Sequence, residues 1–267
     1  MASGEADVAM DQADGDFLKG KGFDLMQGMN RGWFGGVLLA MLCGLAIPVS
    51  AQTHANQAQF APVAPSERIQ NLDTLKDELK QYHACTCTCG CYAKDLDLQA
   101  ARAVAFLRQR AVHRRPNEKL ALVLDIDETT LSNYEEMEKA GFAYDARAFN
   151  AWVESLRAPA IPGTLRIFNE AKRLGVSVFF LTGRGEAERT ATEQNLRAQG
   201  FDGWQELILR KPGQSPLAIV FKSAERAGIV AKGYKIILNV GDQWSDLKGT
   251  PEAEYSVKYP DPYYFLK

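Results

Sequence analysis

The sequence has no basic stripe and no long block of like charge. Its 31 Lys and Arg stand against 33 Asp and Glu, a formal net charge of -2, so it lacks the footprint of a protein that grips a nucleic-acid polymer or an anionic membrane surface. It has no internal repeat, which excludes a solenoid or propeller. Its longest apolar stretch near the amino end, Trp33 to Ile47, is too short for a comfortable membrane span. Cysteine is sparse, five residues, four of them crowded into one short segment. No His/Asn or His/Asp pattern accompanies them, which argues against a cysteine nucleophile. What remains is a chain of 267 residues with the apolar and charged fractions of an ordinary globular protein, long enough for one substantial core.

The amino end reads as a targeting segment. Asn30-Arg31-Gly32 is followed by the apolar stretch and then by Pro48-Val49-Ser50-Ala51-Gln52, the order of a signal peptide over 29–51 with its cut after Ala51. Residues 1–28 are then expected to be an extra, non-native extension, and residues 52–65 a flexible lead-in. The expected location is exported, periplasmic or secreted, with no stable membrane span after processing. Cys43 would leave with the signal. Cys85, Cys87, Cys89 and Cys91 would remain in an oxidising compartment. Disulfides, a soft-metal site and reduced thiols are all open readings of that run.

From Ser66 the pattern turns helical. Ile69, Leu72, Leu75, Leu79 and Tyr82 recur at three- and four-residue steps and predict one buried face. A second helix is expected over Leu96 to Val112, with Leu96, Ala103, Leu107 and Ala111 inward. Then comes Leu120-Ala121-Leu122-Val123-Leu124, a continuous apolar run that predicts a strand buried on both faces of a parallel sheet. Three more apolar runs follow, at Val176–Leu181, Leu207–Leu209 and Ile236–Val240, with helical segments between them. A last edge strand is expected over Glu254 to Tyr259. Strands alternating with helices predict an α/β fold built on a parallel sheet.

Chemistry-bearing residues stand where these strands end. The first run stops at Asp125 and Asp127, the second at Thr182-Gly183-Arg184, the fourth at Gly241-Asp242 with Asp246 close behind. Open α/β sheets bind ligands at the carboxyl ends of their strands. An isolated Asp-x-Asp also suits an acidic turn, and Thr-Gly-Arg also makes a turn. Together they offer hard oxygen ligands of the kind Mg²⁺ prefers, a hydroxyl and guanidinium for a phosphoryl group, and Lys222 in a helix just upstream of the fourth strand. Tyr134 and Trp152 fall in an aromatic-rich insertion, residues 133–160, directly after the acidic pair, where rings can overhang a substrate.

In this arrangement the chain resembles the haloacid-dehalogenase-like hydrolases. Asp125-Ile126-Asp127-Glu128-Thr129 matches the first motif of that superfamily's phosphatases, Thr182 the second, Lys222 the third, and Asp242 with Asp246 the fourth. Lys211 competes for the third position, and the Ser after Lys222 favours Lys222. The first and fourth motifs look most like the acid phosphatase branch, subfamily IIIB, which includes bacterial lipoprotein acid phosphatases and is similar to plant vegetative storage proteins. The resemblance implies a Rossmann-like core with a small helical cap made from about 66–112 and 133–160, all within a domain spanning 66–267. It implies a Mg²⁺-dependent acid phosphatase acting on small phosphomonoesters, 5'-nucleotides among the candidates, through an aspartyl-phosphate on Asp125. Asp127 would be the acid and base, with its backbone carbonyl on the metal. Asp125, Asp242 and Asp246 would complete the metal site. Thr182, Gly183, Arg184, Lys222, Tyr134 and Trp152 would meet the substrate. The alternative is a non-catalytic storage or metal-binding protein on the same fold.

Overall fold

The computed structural model describes residues 69–87 and 91–266. The expected extension, signal peptide, lead-in and Ser66 lie outside the described residues, as do Cys43 and Cys89. Five strands form one sheet: β1 Lys119–Leu124, β2 Ser177–Gly185, β3 Glu206–Arg210, β4 Tyr234–Gly241 and β5 Tyr255–Lys258. Their order is β3-β2-β1-β4-β5, and every pairing is parallel. The run that looked buried on both faces is the central strand.

The pleat of β1 sorts its side chains by parity. Leu120, Leu122 and Leu124 enter a large core with residues of α2 (Tyr92–Val112) and α5 (Pro162–Arg173). Ala121 and Val123 enter a smaller core with Phe221 and Ile229 of α7 (Ala218–Ala231). The first face is held at close range by one glycine. A Cβ on Gly163, in the first turn of α5, would lie 2.7 Å from the Cβ of Ala100 on α2, closer than two carbons can sit. Burying the side chains of Leu122, Phe168 and Phe180, each essentially inaccessible, contributes about 1.5–3 kcal/mol apiece.

The helical boundaries shift from expectation for local reasons. α1 runs over Leu72–Ala84, because Asn71 caps it: Asn71 Oδ1 accepts from the backbone N–H of Asp73 at 2.9 Å. Of the expected apolar positions only Leu79 and Tyr82 pack on the core, while Ile69, Leu72 and Leu75 are exposed. α2 begins four residues earlier than the pattern indicated, at Tyr92, whose buried ring extends the inward face.

The segments expected to cap the sheet take different places. α2 lies in the layer on the sheet face, with Ala100, Ala103 and Leu107 fully buried there. The insertion carries α3 (Tyr134–Lys139) and α4 (Ala146–Glu154). It leaves and rejoins the core at one point, where Ser132 N–H donates to Pro159 O and Ile161 N–H to Thr130 O, both at 2.9 Å. α1 meets the insertion through His83, whose ring stacks on Tyr134 with centroids 3.3 Å apart. α6 (Arg189–Ala198) follows a 3-10 turn after β2, and the short α8 (Trp244–Leu247) follows β4.

Candidate active site

Asp125 is the first residue past β1 and still donates its N–H to Val240 O of β4 at 3.0 Å, so it inherits the rigidity of the sheet centre. The chain then turns sharply. The N–H groups of Thr130 and Leu131 both return to Ile126 O, at 2.8 and 2.9 Å, and Glu128 adopts φ 53°. A non-glycine residue in the left-handed region is costly and persists where the surroundings enforce it. Here Glu128 is held by Asn133, whose N–H donates to Oε1 at 2.5 Å and whose side-chain amide donates to Oε2 at 2.8 Å. The turn brings Asp125 and Asp127 to the same cavity of about 750 Å³ at the carboxyl edge of the sheet.

Lys222 enters from α7. Its Nζ donates to Asp125 Oδ1 and Asp246 Oδ1, each at 2.5 Å, and the side chain is almost wholly buried. Although burial opposes it, Asp125 and Asp246 hold the ammonium above its ordinary value. Lys211 does not line the cavity, which favours Lys222 in the third motif. Asp246 is placed by the loop after β4: its Oδ2 accepts the N–H of Gln243 at 2.8 Å. A Cβ on Gly241 would lie 2.4 Å from the Cβ of Asp246, so glycine is what admits the carboxylate. Arg226, one helical turn after Lys222, is fully buried and binds the backbone of the same loop, donating to Asp246 O at 2.5 Å, Gly249 O at 2.8 Å, Pro251 O at 2.9 Å and also Lys248 O.

Asp242 receives Thr129 Oγ1 at 2.9 Å, Gln243 Nε2 at 2.8 Å and Tyr264 OH at 3.0 Å. Carboxylate oxygens of Asp125, Asp242 and Asp246 lie within 4.8 Å of one another, all buried. Burial, and then the neighbouring Asp246 and Asp242, push Asp125 well above the carboxylate range, even against Lys222. Burial, then Asp246 and Asp261, push Asp242 up to about 7. Three buried carboxylates converging this closely offer hard oxygen donors, and they fit a divalent cation.

The carboxylate of Asp127 stands apart from this group, as expected where only its backbone carbonyl was assigned to the metal. It accepts from Arg184 Nη2 at 2.7 Å, Arg184 Nε at 3.0 Å, Asn133 Nδ2 at 2.9 Å and Thr182 Oγ1 at 3.3 Å. Burial would raise its pKa, but Arg184, with Asn133 and Lys222, holds it below the usual range.

The expected substrate contacts divide. Gly183, Arg184 and Lys222 line the cavity; Thr182, Tyr134 and Trp152 do not. Arg184 is spent on Asp127, and its Nη1 donates to Thr192 Oγ1 at 3.1 Å. Thr182 is fully buried, accepting the Arg184 N–H at 3.1 Å while it donates to Asp127. Trp152 is turned inward because its indole N–H is satisfied by Asn133 Oδ1 at 2.9 Å. Tyr134 is covered by His83, whose Nδ1 also pairs with Tyr263 OH at 2.7 Å. The rings on the cavity wall are instead Phe142, Tyr144 and Phe149 from the insertion and Tyr263, Tyr264 and Phe265 from the carboxyl tail. Asn133, Glu128 and Gln243 were not singled out from the sequence. Their signal was position alone, beside the motif aspartates.

The described cysteines, Cys85, Cys87 and Cys91, lie between the end of α1 and the start of α2. Cys87 is disulfide-bonded, and Cys85 and Cys91 are free. Cys85 Sγ lies 2.9 Å from Cys87 Sγ, and Cys91 Sγ donates to Cys87 O at 3.3 Å. Among the described residues no helix is long and apolar enough to cross a membrane.

A parallel sheet whose central strand leads into Asp125, with Lys222 from the flanking helix and a carboxylate pair after the neighbouring strand β4, has the layout of the haloacid-dehalogenase-like class. Comparison with known proteins narrows this: residues 46–267 match the family described as HAD superfamily, subfamily IIIB (acid phosphatase), and the chain belongs to it. It is 40% identical over 148 residues to acid phosphatase 1 of Solanum lycopersicum, a match covering 54% of this chain and 58% of that relative's own length. It is 36% identical to the stem 31 kDa glycoprotein of Glycine max, covering 79% of this chain and 83% of the relative. Vegetative storage protein 1 of Arabidopsis thaliana is 29% identical over 75% of each chain. Among solved structures, the class C acid phosphatase from Bacillus anthracis with tungstate bound superposes with a TM-score of 0.60, at 19% identity, over 74% of this chain and 87% of that one. That likeness is one of fold.

Proposed function

We propose that this protein is an exported, Mg²⁺-dependent acid phosphatase that hydrolyses small phosphomonoesters, 5'-nucleotides among them, through an aspartyl-phosphate. The observation that carries the proposal is the shared lysine: Lys222 Nζ lies 2.5 Å from both Asp125 and Asp246. It occupies one oxygen of Asp125 and leaves the other to attack, while its charge offsets the repulsion between carboxylate and phosphate.

In the first step the free oxygen of Asp125 bonds to phosphorus and the ester P–O bond breaks. The departing alkoxide takes a proton from Asp127. Arg184 and Asn133 favour the ionised form of Asp127 in the free protein, so the carboxylate has first to take up that proton. The arriving phosphate favours this by setting negative charge against the carboxylate. In the second step Asp127 accepts a proton from water, the water oxygen bonds to phosphorus, and the acyl-phosphate P–O bond breaks to restore Asp125. Arg184 and Asn133 aim Asp127 throughout, and Thr182 supports the same carboxylate. Bound by Asp125, Asp242, Asp246 and the Asp127 backbone carbonyl, Mg²⁺ would supply positive charge to the phosphoryl oxygens. The rings of Phe142, Tyr144 and Phe149 offer stacking surface to an aromatic leaving group.

The test is a phosphomonoester screen with the purified chain from Gln52 onward, at acidic and neutral pH, with and without Mg²⁺. The expected result is turnover that vanishes with chelator and returns with Mg²⁺. Full activity in excess chelator overturns the metal assignment, and no turnover of any ester favours the storage role that the names of some relatives carry.

A further inference from the structure

Among the described residues, three cations line the active-site cavity: Lys222, Arg184 and Arg210. Two are already engaged. Lys222 pairs with Asp125 and Asp246, and Arg184 with Asp127. Arg210 differs. Among the described residues it has no carboxylate partner, and its Nε is buried with no hydrogen-bond partner. Its guanidinium has only the face of Phe221, 5.1 Å from the ring centroid. A buried N–H left unpaired costs about 1–3 kcal/mol, and a cation facing a cavity without a counter-charge is a standing invitation to an anion. Burial alone shifts this guanidinium, downward, with no carboxylate acting against it.

Its place in the sheet says which anion. Arg210 ends β3, as Asp125 follows β1, and β2 lies between them. Two strand spacings separate the two strand ends by about 10 Å. Asp125 already has Lys222 as its cation, and Arg210 reaches the cavity from the far side of β2. The stretch between them is open on the β2 side, because Gly183 carries no side chain there: a Cβ on Gly183 would lie 3.7 Å from Arg210 Nη2.

We infer that Arg210 is a specificity residue that binds a second anionic group, carried by the substrate's alcohol about one ring's length from the ester phosphate. The preferred substrates are then phosphomonoesters whose leaving group bears its own carboxylate or phosphate. This rests on the phosphatase reading above for its reaction but not for its binding site.

The experiment separates the two. Calorimetry with MgCl₂ measures the Kd of benzylphosphonate and of 4-carboxybenzylphosphonate, neither of which is hydrolysed, for the parent protein, Arg210→Gln and Arg210→Lys. The parent should bind the carboxylated probe about tenfold or more tightly, the range of a charge-assisted hydrogen bond. Arg210→Gln should erase that preference and leave benzylphosphonate within twofold. Arg210→Lys should restore part of it, since lysine supplies charge without the fork. Matching KM changes on phenyl phosphate and 4-carboxyphenyl phosphate, with kcat unmoved, should follow. No preference in the parent overturns the inference, as does failure of both probes to bind. Equal weakening of both probes in Arg210→Gln would instead place Arg210 on the reacting phosphoryl group. Discriminating binding without turnover of either ester would leave Arg210 standing and remove only the phosphatase reading. Near-ultraviolet circular dichroism checks that each variant is folded.

Discussion

Gly241 and Asp246 occupy nearly the same space: a single methyl on Gly241 would stand 2.4 Å from the Asp246 Cβ and equally close to its Oδ2. The carboxylate that holds Lys222 reaches it only across a bare backbone. Gly241→Ala should therefore displace Asp246 and cost about 1–3 kcal/mol of stability by overpacking. Turnover should drop on the order of 10²-fold as Lys222 loses its aim. Urea unfolding and steady-state kinetics on the same preparation check both. Wild-type turnover would show that Asp246 does not set the position of Lys222.

Asp125 and Asp127 should fail differently. Asp125→Asn should abolish turnover of every ester, because an amide is a poor nucleophile. Asp127→Asn should slow phosphorylation by alkyl esters about 10²–10⁴-fold, and much less by a nitrophenyl ester, whose leaving group needs no proton. Single-turnover kinetics on both ester types decide it. Equal loss on the two would show that Asp127 is not the leaving-group acid.

Trp152→Phe tests a placement. The indole N–H holds Asn133, which in turn holds Asp127 and Glu128. Stability should drop by about 1 kcal/mol from the lost hydrogen bond. Because the ring is off the cavity wall, kcat should fall to the same degree on aromatic and alkyl esters, with KM unchanged. A KM rise confined to aromatic esters would put the ring against the substrate after all.

Arg110 on α2 pairs with Glu118 before β1, at 2.7 Å, and with Glu254 before β5, at 2.6 Å. Its bond lowers the Glu118 carboxyl to about 2. A depressed carboxyl stabilises the fold fully above its unfolded value and loses that stabilisation as pH falls toward the folded one. Arg110→Ala should thus lower the urea midpoint at pH 6, and the gap to the parent should narrow steadily from pH 4.5 to pH 3. A gap that widens on acidification would contradict the pairing.

Alkylation of the unfolded, unreduced protein followed by peptide mapping should label Cys85 and Cys91, and should label Cys87 only after reduction. Label on Cys87 beforehand would show that its disulfide does not form.

The sequence made the reacting centre legible because its residues sit at the ends of apolar runs, and local pattern alone places strand ends on one edge of a parallel sheet. Asp125 and Asp242 meet as that logic requires, while Lys222 and Asp246 join them from helices, where the family resemblance pointed to them. What it could not convey was the partner each long side chain would choose. Arg184 looked like a phosphate ligand; it lines the cavity and also grips Asp127, 57 residues back along the chain. Tyr134 and Trp152 looked like walls of a binding site, but each had a polar or stacking partner that drew it inward. Arg210 drew no notice because a lone arginine after a short strand has no motif, although it ends its strand as Thr182-Gly183-Arg184 ends another. The α1 periodicity was real, but only its last turns reach a surface to pack on.

Lys222 and Arg226 leave α7 one turn apart, one gripping the carboxylates and the other the backbone that carries them. That turn of helix is a yoke. Asp246 is tethered to it twice, by its side chain and by its own carbonyl, so the lysine and the loop after β4 cannot drift independently. Any shift of α7 against the sheet carries both along together, and the spacing between ammonium and carboxylate is preserved even where the helix as a whole is displaced. Sequence change on the outer face of α7 can then accumulate without touching the reaction, while a change of either basic residue unhitches the whole team.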